Sequence, residues 1–235
     1  MKHLLLTTAA ILALAGCSKP VAPVASSSAA PEAGRTVFPT PSIEGLPAGE
    51  YVTDPEHSSL TFKVTHLGFS HYTARFYTFK AVLNLDPAHP EAAALNVTID
   101  PKSLTLNAPP KGFHDELMGK TFFDAAAYPD MSFKSTKIEK TGDFTAKVTG
   151  DLTLHGVTKP VVLDVAFNGG YPGLPKFDPH ARIGFSATGL LKRSDFGMGT
   201  GIPAPGTRLG VSDDVEFAIE TEMQGPELKT AGAAS

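Results

Sequence analysis

The sequence predicts an all-β fold, in which about eight antiparallel strands close into a barrel with one short helix at one end. Most of the chain between residues 46 and 224 alternates apolar and polar side chains with a period of two, as strands with one wet face do. Helical spacing is confined to one stretch, and no strand–helix–strand spacing occurs. Because eight long strands with one apolar face must bury that face, we expect the sheet to close on itself.

The clearest alternation runs from Phe144 to Phe167. Val148, Leu152 and Leu154 share one parity, and Thr and Lys residues occupy the other. The pattern resumes at Val161 after His155-Gly156, where glycine can take a positive φ. This segment therefore predicts a β-hairpin.

The other strands follow the same rule. They are predicted at 51–54, from 58 to a bend at Gly68, and at 75–85, 95–99, 131–138, 182–191 and 214–223, with Asp-Pro pairs ending several of them. Between Pro109 and Asp124 the alternation stops, and Phe113, Leu117 and Met118 have helical spacing. We expect one short helix here, ending near Gly119 and crossing one end of the sheet.

The first residues resemble a bacterial lipoprotein signal. A positive Met1–His3 precedes the apolar run Leu4–Ala13 and then Leu14–Cys17. The resemblance implies a signal peptide at 1–16, lipidation of Cys17, a tether of Ala, Pro and Ser at 17–45, a barrel at 46–224 and a disordered tail at 225–235. An ordinary secretory signal with a chance cysteine is the alternative.

A lipid anchor would place the protein in the cell envelope, on the periplasmic face of a bacterial membrane. The residue after Cys17 is Ser18 and not Asp, which favours the outer membrane by the rule for such lipoproteins.

Composition excludes several functions. The net charge is −4 and no basic stripe occurs, so nucleic acid is not an expected partner. Cys17 is the sole cysteine, which excludes disulfides and thiol catalysis in the mature domain. The histidines lack metal-binding spacing, so no metal and no cofactor are predicted.

No catalytic group is predicted. Asp54, His57 and Ser58 are close in sequence, but there is no nucleophile elbow, and we interpret them as a turn. The pair Asp213-Asp214 is interpreted as solvated, and the glycines at 197, 199 and 201 lead into no helix.

Aromatic residues are the remaining anomaly. The chain has fifteen Phe, five Tyr and no Trp, and many of the Phe fall on the inward parity. An eight-stranded barrel can be filled by side chains or can hold one small ligand, and parity does not distinguish the two.

The order of motifs resembles the YceI-like family of bacterial polyisoprenoid-binding proteins. The motifs are DPEHSSLTFKVTHLGFS, ARFYTF, Ser103-Leu104, TFFDAAAYPDMSFKST, VTGDLTLHGVTKPVVLDV, LLKRSDFGMG and DDVEFAIETE, within 51–223. Two departures occur: Ala74 stands where the family usually has Gly, and the loop 198–210 is longer than usual. The resemblance implies an extended lipocalin-like barrel whose apolar tunnel holds a polyprenyl quinone, a polyprenyl phosphate or a fatty-acid amide.

The resemblance and the strand parity together suggest ligand-binding residues. The wall is expected to comprise Phe62, Val64, Phe76, Phe79, Phe133, Leu152, Leu154 and Phe185, and the mouth Phe113, Leu117, Phe122 and Phe123. Phe69 is also predicted to bind the ligand. Candidates for the lipid head group are His66, Arg75, His114 and Lys192. Ser194–Gly197 is expected to be a structural turn in which Asp195 bonds backbone amides.

The predicted function is non-catalytic binding of a long-chain isoprenoid or similar amphiphilic lipid, for storage or transport in the envelope. Two alternatives stay open: a lipid enzyme with His66, His114 or His155 as base, and a structural protein with a filled barrel. Pairing of two chains in a homodimer also stays open.

Overall fold

The computed structural model describes residues 40–228. The predicted signal peptide, the lipidation at Cys17, most of the predicted tether and the end of the predicted tail lie outside this range. The described elements are β1 Gly49–Thr53, β2 Ser59–His66, β3 Ser70–Phe76, β4 Phe79–Leu85, β5 Ala94–Ile99, β6 Leu104–Thr105, α1 Phe113–Met118, β7 Met131–Lys140, β8 Thr145–Leu154, β9 Val157–Tyr171, β10 His180–Lys192 and β11 Asp214–Glu227.

The strands form a closed antiparallel ring. Its order is β1, β4, β5, β7, β8, β9, β10 and β11, and β11 pairs back onto β1 at Thr53↔Met223. β2, β3 and β6 extend the wall from the first half of β11, where Phe62 lies opposite Phe217. The predicted eight-stranded antiparallel barrel and the helix ending at Gly119 are confirmed.

Two wall strands are interrupted along their length by short turns. β1 and β2 both pair with β11, and the chain between them makes a short 3₁₀ turn at Pro55–His57. β5 and β6 are separated in the same way by Pro101–Ser103. In each turn the preceding aspartate accepts a backbone hydrogen bond, and the proline supplies the φ that the turn requires. The Asp-Pro pairs therefore break strands without opening the barrel.

The antiparallel order defines two ends of the barrel. The helix end contains the β2–β3 turn, residues 106–130, the tip of the β8–β9 hairpin and the loop 193–213; the opposite end contains Leu46 and the loop 172–179. At the hairpin tip His155 and Gly156 have φ of 51° and 74°, which confirms the predicted turn.

Two strand predictions need correction. Residues 75–85 were expected to form one strand, but the chain leaves the ladder at Tyr77 and Thr78. Arg75 therefore lies in β3, and Phe79 begins β4. β11 continues to Glu227, past the expected start of the tail at 225. Gly225 is buried there against the Tyr51 ring. A Cβ at this position would lie 2.7 Å from Cζ of Tyr51, so only glycine fits.

Within residues 40–228, no helix is long and apolar enough to span a bilayer. The same part of the chain contains no group of three or more His, Cys, Asp or Glu residues placed to hold a metal ion.

Candidate functional site

The barrel interior is the candidate site, and its wall is built by strand parity. Phe62 on β2 packs 5.5 Å from Phe76 on β3, measured between ring centroids. Phe133 on β7 and Leu152 on β8 are buried in the same apolar cluster, and their strands pair at these two residues. The structure brings these predicted wall residues together, with Phe79 and Leu154 also in contact with the cluster.

Several inward side chains keep accessible surface although strands surround them. They are half-buried, whereas inward residues of a filled barrel become fully buried. The set comprises Phe62, Val64, Phe79, Leu95, Val97, Ile99, Phe185, Phe217 and Ile219. The interior surface is therefore apolar and incompletely packed along β2, β4, β5, β10 and β11.

The opposite end of the barrel is filled. Tyr51, Ile183 and Met223 are at most 2% exposed, and they form a second apolar cluster with Leu46 and Leu83. The Tyr51 hydroxyl donates to the carbonyl of Pro47 at 2.7 Å, and burial raises its pKa to about 12. This end is therefore closed by packed side chains. Phe185 belongs to this second cluster, although it was predicted beside the other wall residues.

At the helix end, a segment of irregular chain crosses the barrel. Leu117 of α1 and Phe123 pack on the first cluster, and the Phe123 ring meets Phe76 edge-on at 5.8 Å. His155 links this segment to the wall, since its Nδ1 lies 3.0 Å from the Phe196 carbonyl and its Nε2 lies 3.1 Å from the Lys120 carbonyl. A neutral imidazole can donate to one of these oxygens at a time. Both ring nitrogens thus face backbone carbonyls, and one of them at a time can donate.

The other two expected mouth residues, and the predicted ligand-binding residue Phe69, are less enclosed. Phe122 is half-buried, Phe113 is 36% exposed, and Phe69 is 79% exposed at the β2–β3 turn. Phe69 lies on the outside of the barrel end and packs in neither apolar cluster of the described chain. The structure therefore places Leu117 and Phe123 against the interior, and Phe69 in solvent.

The four head-group candidates do not converge. Lys192 lies on the outer face, where Nζ is 2.7 Å from Asp214 Oδ1, and this hydrogen bond raises its pKa. Arg75 also lies outside the wall, with its guanidinium 4.8 Å from the Tyr77 ring centroid. His114 sits near Asp115 on α1, and His66 is exposed at the end of β2. Only His66 shares the inward parity, and the geometry gives no support to Lys192 or Arg75 as head-group ligands.

Sequence reasoning overlooked Arg193, the most enclosed cation of the described chain. It is 7% exposed, and its guanidinium donates four hydrogen bonds of 2.7 to 2.9 Å to backbone carbonyls. Burial lowers its pKa, and the nearby Asp213 opposes that shift. The acceptors are the carbonyls of Met198, Thr200, Val211 and Ser212. Arg193 thereby fastens the long loop 197–213 to the end of β10.

The expected role of Asp195 needs correction. Ser194–Gly197 lies in a 3₁₀ turn, as predicted, but the carboxylate that accepts from the Ser194 amide, at 2.9 Å, belongs to Asp213. Asp213 also accepts from the Ser194 hydroxyl at 2.8 Å. Asp213 lies opposite the turn across the β10–β11 connection, a long-range pairing that the local sequence does not reveal.

The residues Asp54, His57 and Ser58 form a turn and no catalytic triad. Asp54 bonds His57 Nδ1 at 3.1 Å and Arg182 at 2.5 Å, while the Ser58 hydroxyl pairs with Thr221. Partial burial raises the pKa of Asp54, but its hydrogen bonds to His57, Arg182 and the Glu56 amide outweigh that effect and lower it to about 2. This ion pair joins the broken β1–β2 strand to β10 on the outer surface.

Five half-buried interior residues were missed as site residues. They are Leu95, Val97 and Ile99 on β5 and Phe217 and Ile219 on β11, and all face inward. Their period-two alternation was visible in the sequence. That signal was sufficient to assign them to the wall.

Comparisons with known proteins cover nearly the whole barrel. A family model described as "YceI-like domain" matches residues 51–223. A UPF0312 protein of Pseudomonas savastanoi pv. phaseolicola is 41% identical over 64% of this chain and 77% of its own. The crystal structure of a Campylobacter jejuni YceI protein is 36% identical, with a TM-score of 0.57 over 69% of this chain and 90% of that one. A polyisoprenoid-binding domain from Saccharophagus degradans shares the fold at 15% identity, with a TM-score of 0.57 over 77% of this chain and 100% of that one.

Proposed function

The chain belongs to the YceI-like family, and from this premise we propose that it binds a long-chain isoprenoid or a similar amphiphilic lipid inside the barrel, without changing it chemically. The observation that carries the proposal is the row of inward apolar side chains that stay half-buried inside a closed wall. The fold shared with a polyisoprenoid-binding domain supports the same cargo class.

The energetics favour a long apolar cargo. Each CH₂ group that leaves water contributes about 0.8 kcal/mol, so a chain of several isoprene units needs only apolar wall contacts for affinity. Phe62, Phe79 and Ile219 offer such contacts, and they carry no donor or acceptor in their side chains. The cargo enters from the helix end, because Tyr51, Ile183 and their neighbours fill the other.

Binding without catalysis is the simpler function for this interior. The wall cluster consists of Phe, Leu, Val, Ile, Met and Ala together with Tyr72, whose hydroxyl bonds the Asn107 backbone. General acid–base chemistry needs a titratable group within hydrogen-bond reach of the reacting atom. Of the histidines that an enzyme would need as a base, His155 has both ring nitrogens against backbone carbonyls.

We place this binding in the cell envelope, where the protein would store or carry lipid near a membrane. The support is the lipoprotein-like start of the sequence with Cys17. Metabolic labelling with a radioactive fatty acid tests it: label should enter the wild-type chain and not the Cys17→Ser variant. Equal labelling of both would remove the anchor from the proposal.

A lysine introduced on the inner wall tests whether the cargo binds inside the barrel. Phe79→Lys places an ammonium on the inner surface, and we expect binding of a fluorescent polyprenyl analogue to weaken by about 100-fold, since about 3 kcal/mol of unfavourable charge burial is added. Lys80→Ala is the matched control, because Lys80 is the next residue and faces solvent.

Phe79→Ala keeps the wall apolar and guards against misfolding, and circular dichroism checks all three variants. Equal affinity of Phe79→Lys and Lys80→Ala for the analogue would place the cargo outside the barrel.

A further inference from the structure

Two loops at the helix end contact each other, and each exposes a large apolar side chain. Phe69 is 79% exposed and Leu209 is 82% exposed. The Leu67 amide donates to the Gly210 carbonyl at 2.9 Å, and the Arg208 side chain lies against Gly68, so the two loops are in contact. We call residues 66–71 and 208–211 the rim.

The rim combines its apolar tips with the positive charge of one arginine. Arg208 is exposed beside Leu209, and His66 and His71 flank Phe69. Neither 66–71 nor the whole stretch 199–212 contains an aspartate or glutamate. A surface of this composition matches an anionic lipid surface, where apolar side chains enter the acyl boundary and a guanidinium meets phosphate.

The size of the feature argues against a protein partner. A stable protein interface buries about 800 Å² on each side, whereas the rim presents two protruding side chains on narrow turns. The β2–β3 turn is tight, with φ of 53° at Leu67 and 68° at Gly68, so Phe69 is held by a defined backbone. A fluid bilayer can receive two isolated side chains without a complementary surface.

We propose that the rim docks the helix end of the barrel onto an anionic bilayer surface. The inference rests on the proposed function, because cargo that enters at the helix end must leave a membrane there. Docking by Phe69 and Leu209 brings that opening to the lipid from which the cargo comes.

The absence of tryptophan from the chain permits a local test. Phe69→Trp, Leu209→Trp and Phe177→Trp each give a protein with one reporter, and Phe177 is the matched control because it is 86% exposed at the opposite end. All three are prepared as the full chain with Cys17→Ser, which removes the predicted acylation site. They are mixed with phosphatidylglycerol–phosphatidylcholine vesicles whose acyl chains carry bromine.

We expect the reporters at 69 and 209 to shift to the blue and lose about half of their emission, while the reporter at 177 stays unchanged. Adding Arg208→Gln, or using pure phosphatidylcholine vesicles, should reduce the quenching. No quenching at 69 and 209, or equal quenching at 177, overturns the proposal. A blue shift at 69 that grows with protein concentration without vesicles also overturns it, since it identifies a second copy as the occupant.

Binding of the polyprenyl analogue is measured separately, without vesicles. Variants that bind the analogue and ignore vesicles overturn the rim and leave the proposed function intact. Variants that dock on vesicles and bind no analogue support the rim and refute the proposed function.

Discussion

Replacement of Arg193 by methionine should destabilise the barrel more than any surface change beside it. Methionine keeps much of the length of the side chain but has no donor and no charge. Four backbone carbonyls of the loop 197–213 then lose their partner, and the 3₁₀ turn at Ser194 loses a nearby cation. The loop also carries Arg208 and Leu209 of the rim, so its order depends on Arg193.

The magnitude follows from the contacts. A hydrogen bond that involves a charged group contributes about 1.5 to 3 kcal/mol, and the four bonds of Arg193 are not additive, since water can reach some of the freed carbonyls. We therefore expect a loss of about 3 to 5 kcal/mol in the free energy of unfolding, which is a fall of roughly 6 to 20 °C in Tm for a domain of this size. Arg193→Lys should recover little, because an ammonium cannot reach carbonyls on several sides as a planar guanidinium does.

Urea denaturation followed by circular dichroism measures this loss. Lys192→Ala is the control at the preceding position, where the exposed ion pair with Asp214 contributes at most about 1 kcal/mol. A loss below about 1 kcal/mol for Arg193→Met, equal to that of the control, would refute the argument that this guanidinium fastens the loop.

Two further predictions concern the wall and the outer ion pair. Gly150→Ala should lower the free energy of unfolding by about 1 to 3 kcal/mol, because its Cβ would overlap the Phe133 ring and lie 2.6 Å from the Lys134 carbonyl. Gly199→Ala is the control, since a Cβ there meets nothing within 4 Å. Equal midpoints of the two variants in urea denaturation would contradict the inward packing. The pKa of Asp54, about 2, lies below its ordinary value of 3.8, so its stabilising effect is complete above about pH 4 and lost as the pH falls toward 2. Asp54→Asn should weaken the dependence of Tm on pH over that range, and the exposed Asp151→Asn should not. Parallel curves of Tm against pH for the wild type and Asp54→Asn would refute the contribution of the Asp54 ion pair to stability.

The strands could be predicted because side-chain alternation is local. Phe62, Phe133 and Leu152 carry their inward direction in their immediate neighbours, and a hydrophobic face determines register wherever it is buried. The break of the wall between Phe76 and Phe79 was missed because no Gly or Pro marks it at Tyr77 and Thr78, although the inward Phe76 and Phe79 lie three residues apart and so have opposite parity.

The polar part of the site could not be predicted for a different reason. Lys192 and Arg193 are neighbours with the same formal charge, yet strand parity sends one to solvent and the other beneath a loop. The partners of Arg193 are carbonyls up to nineteen residues away, and backbone carbonyls leave no signature in a sequence. Likewise, the assignment of Asp213 to the Ser194 amide depends on how β10 and β11 meet.

The central claim is that the incompletely packed interior holds a long apolar lipid. Native mass spectrometry of the protein purified from its own host, followed by organic extraction and identification of the released molecule, tests it most directly. We predict one equivalent of a long-chain isoprenoid or similar amphiphile per barrel, released on denaturation. A protein that arrives empty and also fails to take up added polyprenyl quinone would contradict the claim and make the Phe-rich interior an ordinary core.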